Sequence, residues 1–248
     1  MAPEREPLPL ARYLPELERL SEAGADFILV AGQAVNFWAT HFSEIEPKLL
    51  EFAPFVSKDV DLFGSMDDLY RIPKILSGKL QRVRDLRTPV IGVFTTDDVP
   101  SLMFELLRDV YGPVSTEKII ERSRQLGVVR VIDPLSLLVA KTHNAAKIDQ
   151  EKRQDVRHVQ IMSLAVSAHF IKTLGAVGEQ VTPRMFINEV RYLLNYARDK
   201  TFQTGLALAE TKLANVIPSE EIKQASVDHP TLERFLEGTL DPFLNQLS

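Results

Sequence analysis

The chain has 248 residues, of which 45% are hydrophobic and 25% charged, with a formal net charge of −5. That balance excludes a disordered or fibrous chain and leaves one large globular domain or two small ones. The absence of cysteine excludes disulfides and thiolate metal sites and suits a cytoplasmic protein.

Residues 1–9 carry three prolines and read as a loose arm. They lack the apolar core of a signal peptide, and no later window approaches the ~18 apolar residues of a membrane span, so no membrane association is expected. From Leu10 to Ala23 the leucines at 10, 14, 17 and 20 recur at helical steps, and Gly24 stops that helix. A short apolar strand, Phe27–Ala31, then reaches Gly32, and Ala34–Phe42 reads as a helix with a buried aromatic side. The free N–H groups of a helix opening at Gly32-Gln33 would form an anion site, although Gly32 alone is equally read as a tight turn.

The stretch Asp59-Val60-Asp61-Leu62 alternates as a strand does, setting two carboxylates on one face and apolar side chains on the other. Adjacent carboxylates repel, and partly burying them is expensive unless cations neutralise them. Oxygen-only ligands suit a hard divalent ion, Mg²⁺ first and Mn²⁺ second. Next come a helix, Met66–Leu76, and an edge-like strand, Lys79–Arg84, with cations at Arg82 and Arg84. Two further strands are expected at Val90–Thr95 and Ser101–Leu107. In the second, Glu105 is the sole acid in an otherwise apolar run. A lone carboxylate there is expensive unless something pairs with it or it lies on a solvent-facing edge.

Ser115–Gln125 reads as a capped helix ended by Gly127, and Val128–Ile132 as a strand. Asp133-Pro134 is a strong helix start, with Asp at the N-cap and Pro at the first helical position. That helix carries Lys141, and a second, starting near Gln150, carries Arg153, Asp155 and His158. Beyond Ile161 the chain reads as helical, with breaks near Pro183, Pro218, Pro230 and Pro242. The tail also holds Arg191, Tyr192, Tyr196 and Arg198. The fold class expected is α+β, a mixed sheet flanked by helices and followed by a helical region, with domains 1–133 and 134–248.

The order Gly32-Gln33, Asp59-x-Asp61, Pro134…Lys141 and Arg153-x-Asp155 resembles the nucleotidyltransferase superfamily of the DNA polymerase β type, and within it the AbiEii-like toxin branch. Three features depart from the family pattern. Gln33 stands where serine or glycine is usual, and Thr40–Val56 reads as an insertion; His158 also replaces a second acid. The resemblance implies transfer of a nucleoside monophosphate from an NTP to a hydroxyl acceptor, with release of pyrophosphate. It implies Asp59, Asp61 and Glu105 as catalytic metal ligands for a two-metal Mg²⁺ site. It also implies Gly32, Gln33, Ser57, Lys58, Lys141 and Asp155 around the nucleotide, with Lys141 on the triphosphate. Toxin-like relatives imply a tRNA or other RNA acceptor, or a protein hydroxyl, and an antitoxin-type protein partner. A different class stays open, a catalytically silent module of the same fold that senses nucleotide or binds a partner.

Overall fold

In the computed structural model the described residues are 6–151 and 153–247. Most of the expected N-terminal arm, residues 1–5, and Lys152 therefore lie outside them. Chain contacts divide the described residues into two compact units. One takes in the chain up to His41 together with Phe52–Ala140. The other takes in Phe42–Glu51 and the chain from Lys141 onward. The expected boundary at 133/134 falls a few residues earlier, before the helix in which the division occurs.

The first unit is built on a mixed sheet. In chain order its strands are β1 (Leu8–Pro9), β2 (Ile28–Val30), β3 (Val56–Ser57), β4 (Val60–Phe63), β5 (Gly78–Arg82), β6 (Val90–Thr96), β7 (Met103–Leu107), β8 (Arg124–Leu126) and β9 (Val129–Val131). β1 and β3 pair with each other, and the other seven form one sheet ordered β5-β6-β7-β4-β2-β9-β8. The β4–β7 and β2–β9 pairs are parallel and the rest antiparallel. The helices of this stretch are α1 (Leu14–Glu22), α2 (Ala31–Phe42), α3 (Met66–Ile75), α4 (Thr116–Arg122) and the start of α5 (Pro134–Lys147).

The apolar periodicities seen in the sequence explain which sheet face is covered. Leu29, Leu62, Phe94, Phe104 and Leu106 are buried and lie on the sheet face opposite Asp61 and Glu105. α1 and α3 cover this apolar face. Tyr13, just before α1, meets Phe104 edge to face at 5.7 Å, and Leu69 of α3 sits so close to Gly92 that a side chain there would strike it. α3 starts because Ser65 and Asp68 form a reciprocal capping box. It continues to Ile75 despite Pro73, which lies in its last turn.

Three local expectations need correction. The segment Leu10–Ala23 is a short 3-10 turn, Leu10–Arg12, followed by α1, because Pro15 suits only the first positions of a helix. The helix expected over Ser115–Gln125 ends at Arg122, and Arg124–Leu126 is instead strand β8, paired with β9. Gly127, read as a helix terminator, has φ +59° and makes the turn of that hairpin. The helix expected near Gln150 begins only at Asp155. The Gln150 side-chain amide is spent on the end of α5, donating to the Asn144 and Ile148 carbonyls at 3.1 and 2.8 Å.

The second unit is helical. After α5 it contains α6 (Asp155–Gly175), α7 (Pro183–Ala197), α8 (Lys200–Leu208), α9 (Leu213–Val216), α10 (Ser219–Ser226), α11 (Pro230–Phe235) and α12 (Asp241–Leu247). The fold is thus α+β, a seven-stranded mixed sheet with flanking helices and a helical C-terminal part. α6 supplies much of the helical core through Val159, Met162, Val166 and Phe170. Gly205 of α8 lies against the Thr142 backbone, an approach no larger residue permits. Phe42, in the segment read as an insertion, packs edge-on against His169 at 6.1 Å and under Lys172 at 5.8 Å. Among the described residues no helix is long and apolar enough to cross a membrane.

Candidate functional site

The sheet unit carries the carboxylates. Register, rather than sequence proximity, determines which of them meet. β4 and β7 run parallel with Asp61 directly opposite Glu105. Directly opposed residues project from the same face, and neighbouring strands lie ~4.8 Å apart. The row across the sheet is Val30, Asp61, Glu105, Val93 and Gln81. Both acids are half-buried, which raises the cost of their mutual repulsion. The sole acid in the apolar run of β7 therefore shares a face with the second aspartate of the Asp-x-Asp stretch.

Asp59 is placed differently. It lies in the bend just before β4, not on the strand, and its carboxylate accepts the Ser57 hydroxyl at 3.3 Å. Lys58 is exposed in the same bend. Among the described residues no group of three or more His, Cys, Asp or Glu is disposed to hold a metal ion. Asp61 and Glu105 alone still fit the demand of Mg²⁺, which keeps several waters and is bound through one or two carboxylates together with substrate phosphates. They do not amount to a preassembled three-carboxylate cage.

The strand-to-helix junction beside Asp61 departs from the simple turn expected. Val30, the residue opposite Asp61, ends β2, and α2 begins at once at Ala31. Ala31 takes φ +52°, a left-handed conformation that a non-glycine residue adopts only when its surroundings compel it. Gly32 and Gln33 form the first turn of α2. Gln33 is fully buried. Its amide donates to the Leu8 carbonyl at 3.0 Å and accepts from Asn36 at 3.1 Å. The Gln33 side chain thus ties the N-terminal strand β1 to α2.

The helical unit carries the other half of the motif set, and there Lys141 and Asp155 do meet. Lys141 is 3% exposed and Asp155 1%. Lys141 Nζ lies 2.8 Å from Asp155 Oδ1, and Arg153 Nε lies 2.6 Å from Oδ2. His158, one turn along α6, has Nδ1 3.9 Å from the same carboxylate. Burial pushes the Asp155 carboxyl upward, but His158, Lys141 and Arg153 together outweigh it and hold the group well below the usual carboxylate range. Burial first, then the charge of Lys141, lowers His158 from 6.5 to about 4 despite the opposing pull of Asp155. At neutral pH the network is therefore a carboxylate, two cations and a neutral imidazole. Asp133 behaves as the sequence indicates, accepting from Ser136 N–H at 3.2 Å as the N-cap of α5 and pairing with Arg122 at 3.1 Å.

The resemblance brings out Lys141, Arg153 and Asp155, but not the burial of Lys141 and Asp155. A lysine on a helix ordinarily reaches outward, whereas here it is sealed against an acid. The burial signal lies in the apolar residues beside it, Leu138, Val139, Ala140 and Ala145, all of which are buried.

No protein-family model matches the chain, and no curated protein matches it by sequence. Among solved structures the chain is similar to JHP933 from Helicobacter pylori, with a TM-score of 0.38 and 14% identity over 87% of this chain and 94% of that one. It is also similar to an H. pylori protein provisionally described as a nucleotidyltransferase, with a TM-score of 0.35 and 14% identity over 90% of this chain and 95% of that one.

Proposed function

We propose that this protein is a metal-dependent nucleotidyltransferase that moves a nucleoside monophosphate from an NTP to a hydroxyl acceptor. The observation that carries the reading is the register of two parallel strands, which sets Asp61 directly opposite Glu105. Two carboxylates kept side by side across a sheet call for a cation, and the cation that oxygen ligands favour is the one NTPs carry. Bound there, Mg²⁺ supplies neutralisation of charge on the attacking and leaving oxygens. Asp61 and Glu105 hold that charge in place, and the first turn of α2, which follows β2 beside Asp61, offers N–H donors to the phosphates. The acceptor oxygen bonds to the α-phosphorus as the bond to the β-phosphate bridging oxygen breaks. Pyrophosphate leaves, and the acceptor proton passes to a sheet carboxylate or to water. The protein's work is positioning and charge neutralisation, as phosphoryl transfer generally demands.

Kinship with the AbiEii-like toxins, a tRNA or other RNA acceptor, a neutralising protein partner and a cytoplasmic setting belong to the same proposal. The first three rest on the order of Gly32, Asp59, Asp61, Lys141 and Asp155 along the chain, and the last on the absence of cysteine. The test is label transfer from each α-labelled NTP, with Mg²⁺, onto total RNA, the protein itself and an aminoglycoside panel. Asp61→Asn and Glu105→Gln variants run beside the wild type. Labelling that disappears in both variants supports the enzyme; labelling that survives in both removes the carboxylate pair from the reaction.

One set of observations favours a second reading, a silent module that binds nucleotide or a partner without turnover. Gln33 is fully buried and engaged internally, and Lys141 is sealed against Asp155. Binding of MgNTP by calorimetry, with no acceptor labelled, would decide for that reading.

A further inference from the structure

Helix α7 (Pro183–Ala197) presents a second, independent feature. Its buried side is apolar, formed by Phe186, Ile187, Val190, Leu193, Leu194 and Ala197. Away from that side stand Arg184, Asn188, Arg191, Asn195 and, at the C-cap, Arg198, all exposed. At 100° per residue these five lie within about 80° of one another, a single stripe roughly 21 Å long. The three arginines recur every seventh residue, so each stands almost directly above the last.

Among the described residues none of the three arginines forms an ion pair with a carboxylate. Arg191 lies over the Phe235 ring at 5.6 Å and Arg198 over the Phe243 ring at 5.3 Å. Stacking of this kind holds a guanidinium by its face and leaves its N–H edges to solvent. Along one flank run Tyr192 and Tyr196, half-buried and edge to face at 5.4 Å, with Met185 exposed at the N-terminal end.

We infer that the outer stripe of α7 is a docking surface for single-stranded RNA, and so for the acceptor; this rests on the nucleotidyltransferase reading above. Fixed guanidinium forks at regular intervals suit phosphates. The asparagines between them offer paired donors and acceptors to base edges and to the 2′-hydroxyl, and the tyrosine rings offer stacking surfaces. Stacked nucleotides rise 3.4 Å, so the stripe spans about six. The surface is a convex helix face without a groove, which favours a strand that can drape over it. An overall charge of −5 confines polyanion binding to local features of this kind.

The test is fluorescence anisotropy with a labelled oligouridylate and the full chain, without NTP or divalent ion, across a salt series. The triple variant Arg184→Gln/Arg191→Gln/Arg198→Gln should bind at least tenfold more weakly at low salt. Neutralising three phosphates should also account for about two units of the slope of log K against log [salt]. The matching arginine-to-lysine triple variant should keep the slope, and the single Arg184→Gln, which touches no ring, should lower affinity without altering the melting temperature. Unchanged binding by the glutamine variant overturns the inference, as does a preference for poly-glutamate over RNA, which would mark the stripe as a protein interface. Asp61→Asn separates the two ideas. RNA binding retained without transfer in any protein leaves the stripe standing and the enzyme reading fallen. Transfer to RNA that ignores the stripe variants does the opposite.

Discussion

Two sets of charged residues, one in each unit, solve opposite problems. In the sheet, Asp61 and Glu105 are brought together by strand register and left half-buried, so like charge is held next to like charge. In the helical unit, Asp155 is sealed from solvent with a cation against each oxygen. The first arrangement sets two carboxylates side by side on one face of the sheet. The second is complete in itself and fastens the middle of α5 to the start of α6. A carboxylate's surroundings, not its place in a motif, separate the two cases.

The sharpest way to break this comparison is the pair of isosteric amides Asp61→Asn and Glu105→Gln. Each should lower transfer by about 10²-fold or more, because metal-assisted charge neutralisation supplies several kcal/mol of the barrier reduction. Melting temperature should hold or rise as the repulsion is relieved. Asp155→Ala should do the reverse. It leaves Lys141 buried without its counter-charge, which typically costs about 3–5 kcal/mol, read as a shift of the urea midpoint.

Acid sharpens the contrast next. His158 is held at about 4 in the folded protein and returns to its ordinary 6.5 when unfolded. The unfolded state then binds more protons between those values, so stability falls as pH drops from 6.5 towards 4, by up to about 3 kcal/mol. Thermal melts of the wild type and of His158→Gln across this window should diverge, the variant showing the flatter profile. Asp155, depressed in the folded state, adds its own loss only below the unfolded carboxylate range, near pH 4 and under. The smallest effect expected is that of Gln33→Ala. It deprives the Leu8 carbonyl and Asn36 of their partners and should cost about 1–3 kcal/mol, without the pH signature of the helical network.

Much of the sheet was legible because its signals are local. Alternation marked β4 and the edge strand β5, an apolar run with one acid marked β7, and Asp133-Pro134 marked the start of α5. The lone acid in an apolar run was enough to single out Glu105, since a charge there is expensive without a reason. Illegible features were those decided at a distance. Gly127 carries the same letter whether it ends a helix or turns a hairpin, and only the pairing of β8 with β9 chooses between them. Nothing local shows that Phe42–Glu51 packs with the helical unit. The α7 stripe is intermediate. Arginines at every seventh position are visible in the sequence, but their exposure and want of carboxylate partners emerge only from the folded helix.

The order of strands also has a bearing on synthesis. The carboxylate row is drawn from residues 30–105, all of which can pair before the rest of the chain emerges. The parallel β2–β9 pair, by contrast, joins Ile28 to Arg130. That long closure carries a large entropic toll and must wait for β9 to leave the ribosome. Until it does, the free edge of β2 next to the nascent site is open to pairing with another chain. The interval between residues 107 and 131 is thus when this protein is most exposed to misassociation, and when a chaperone would matter most to it.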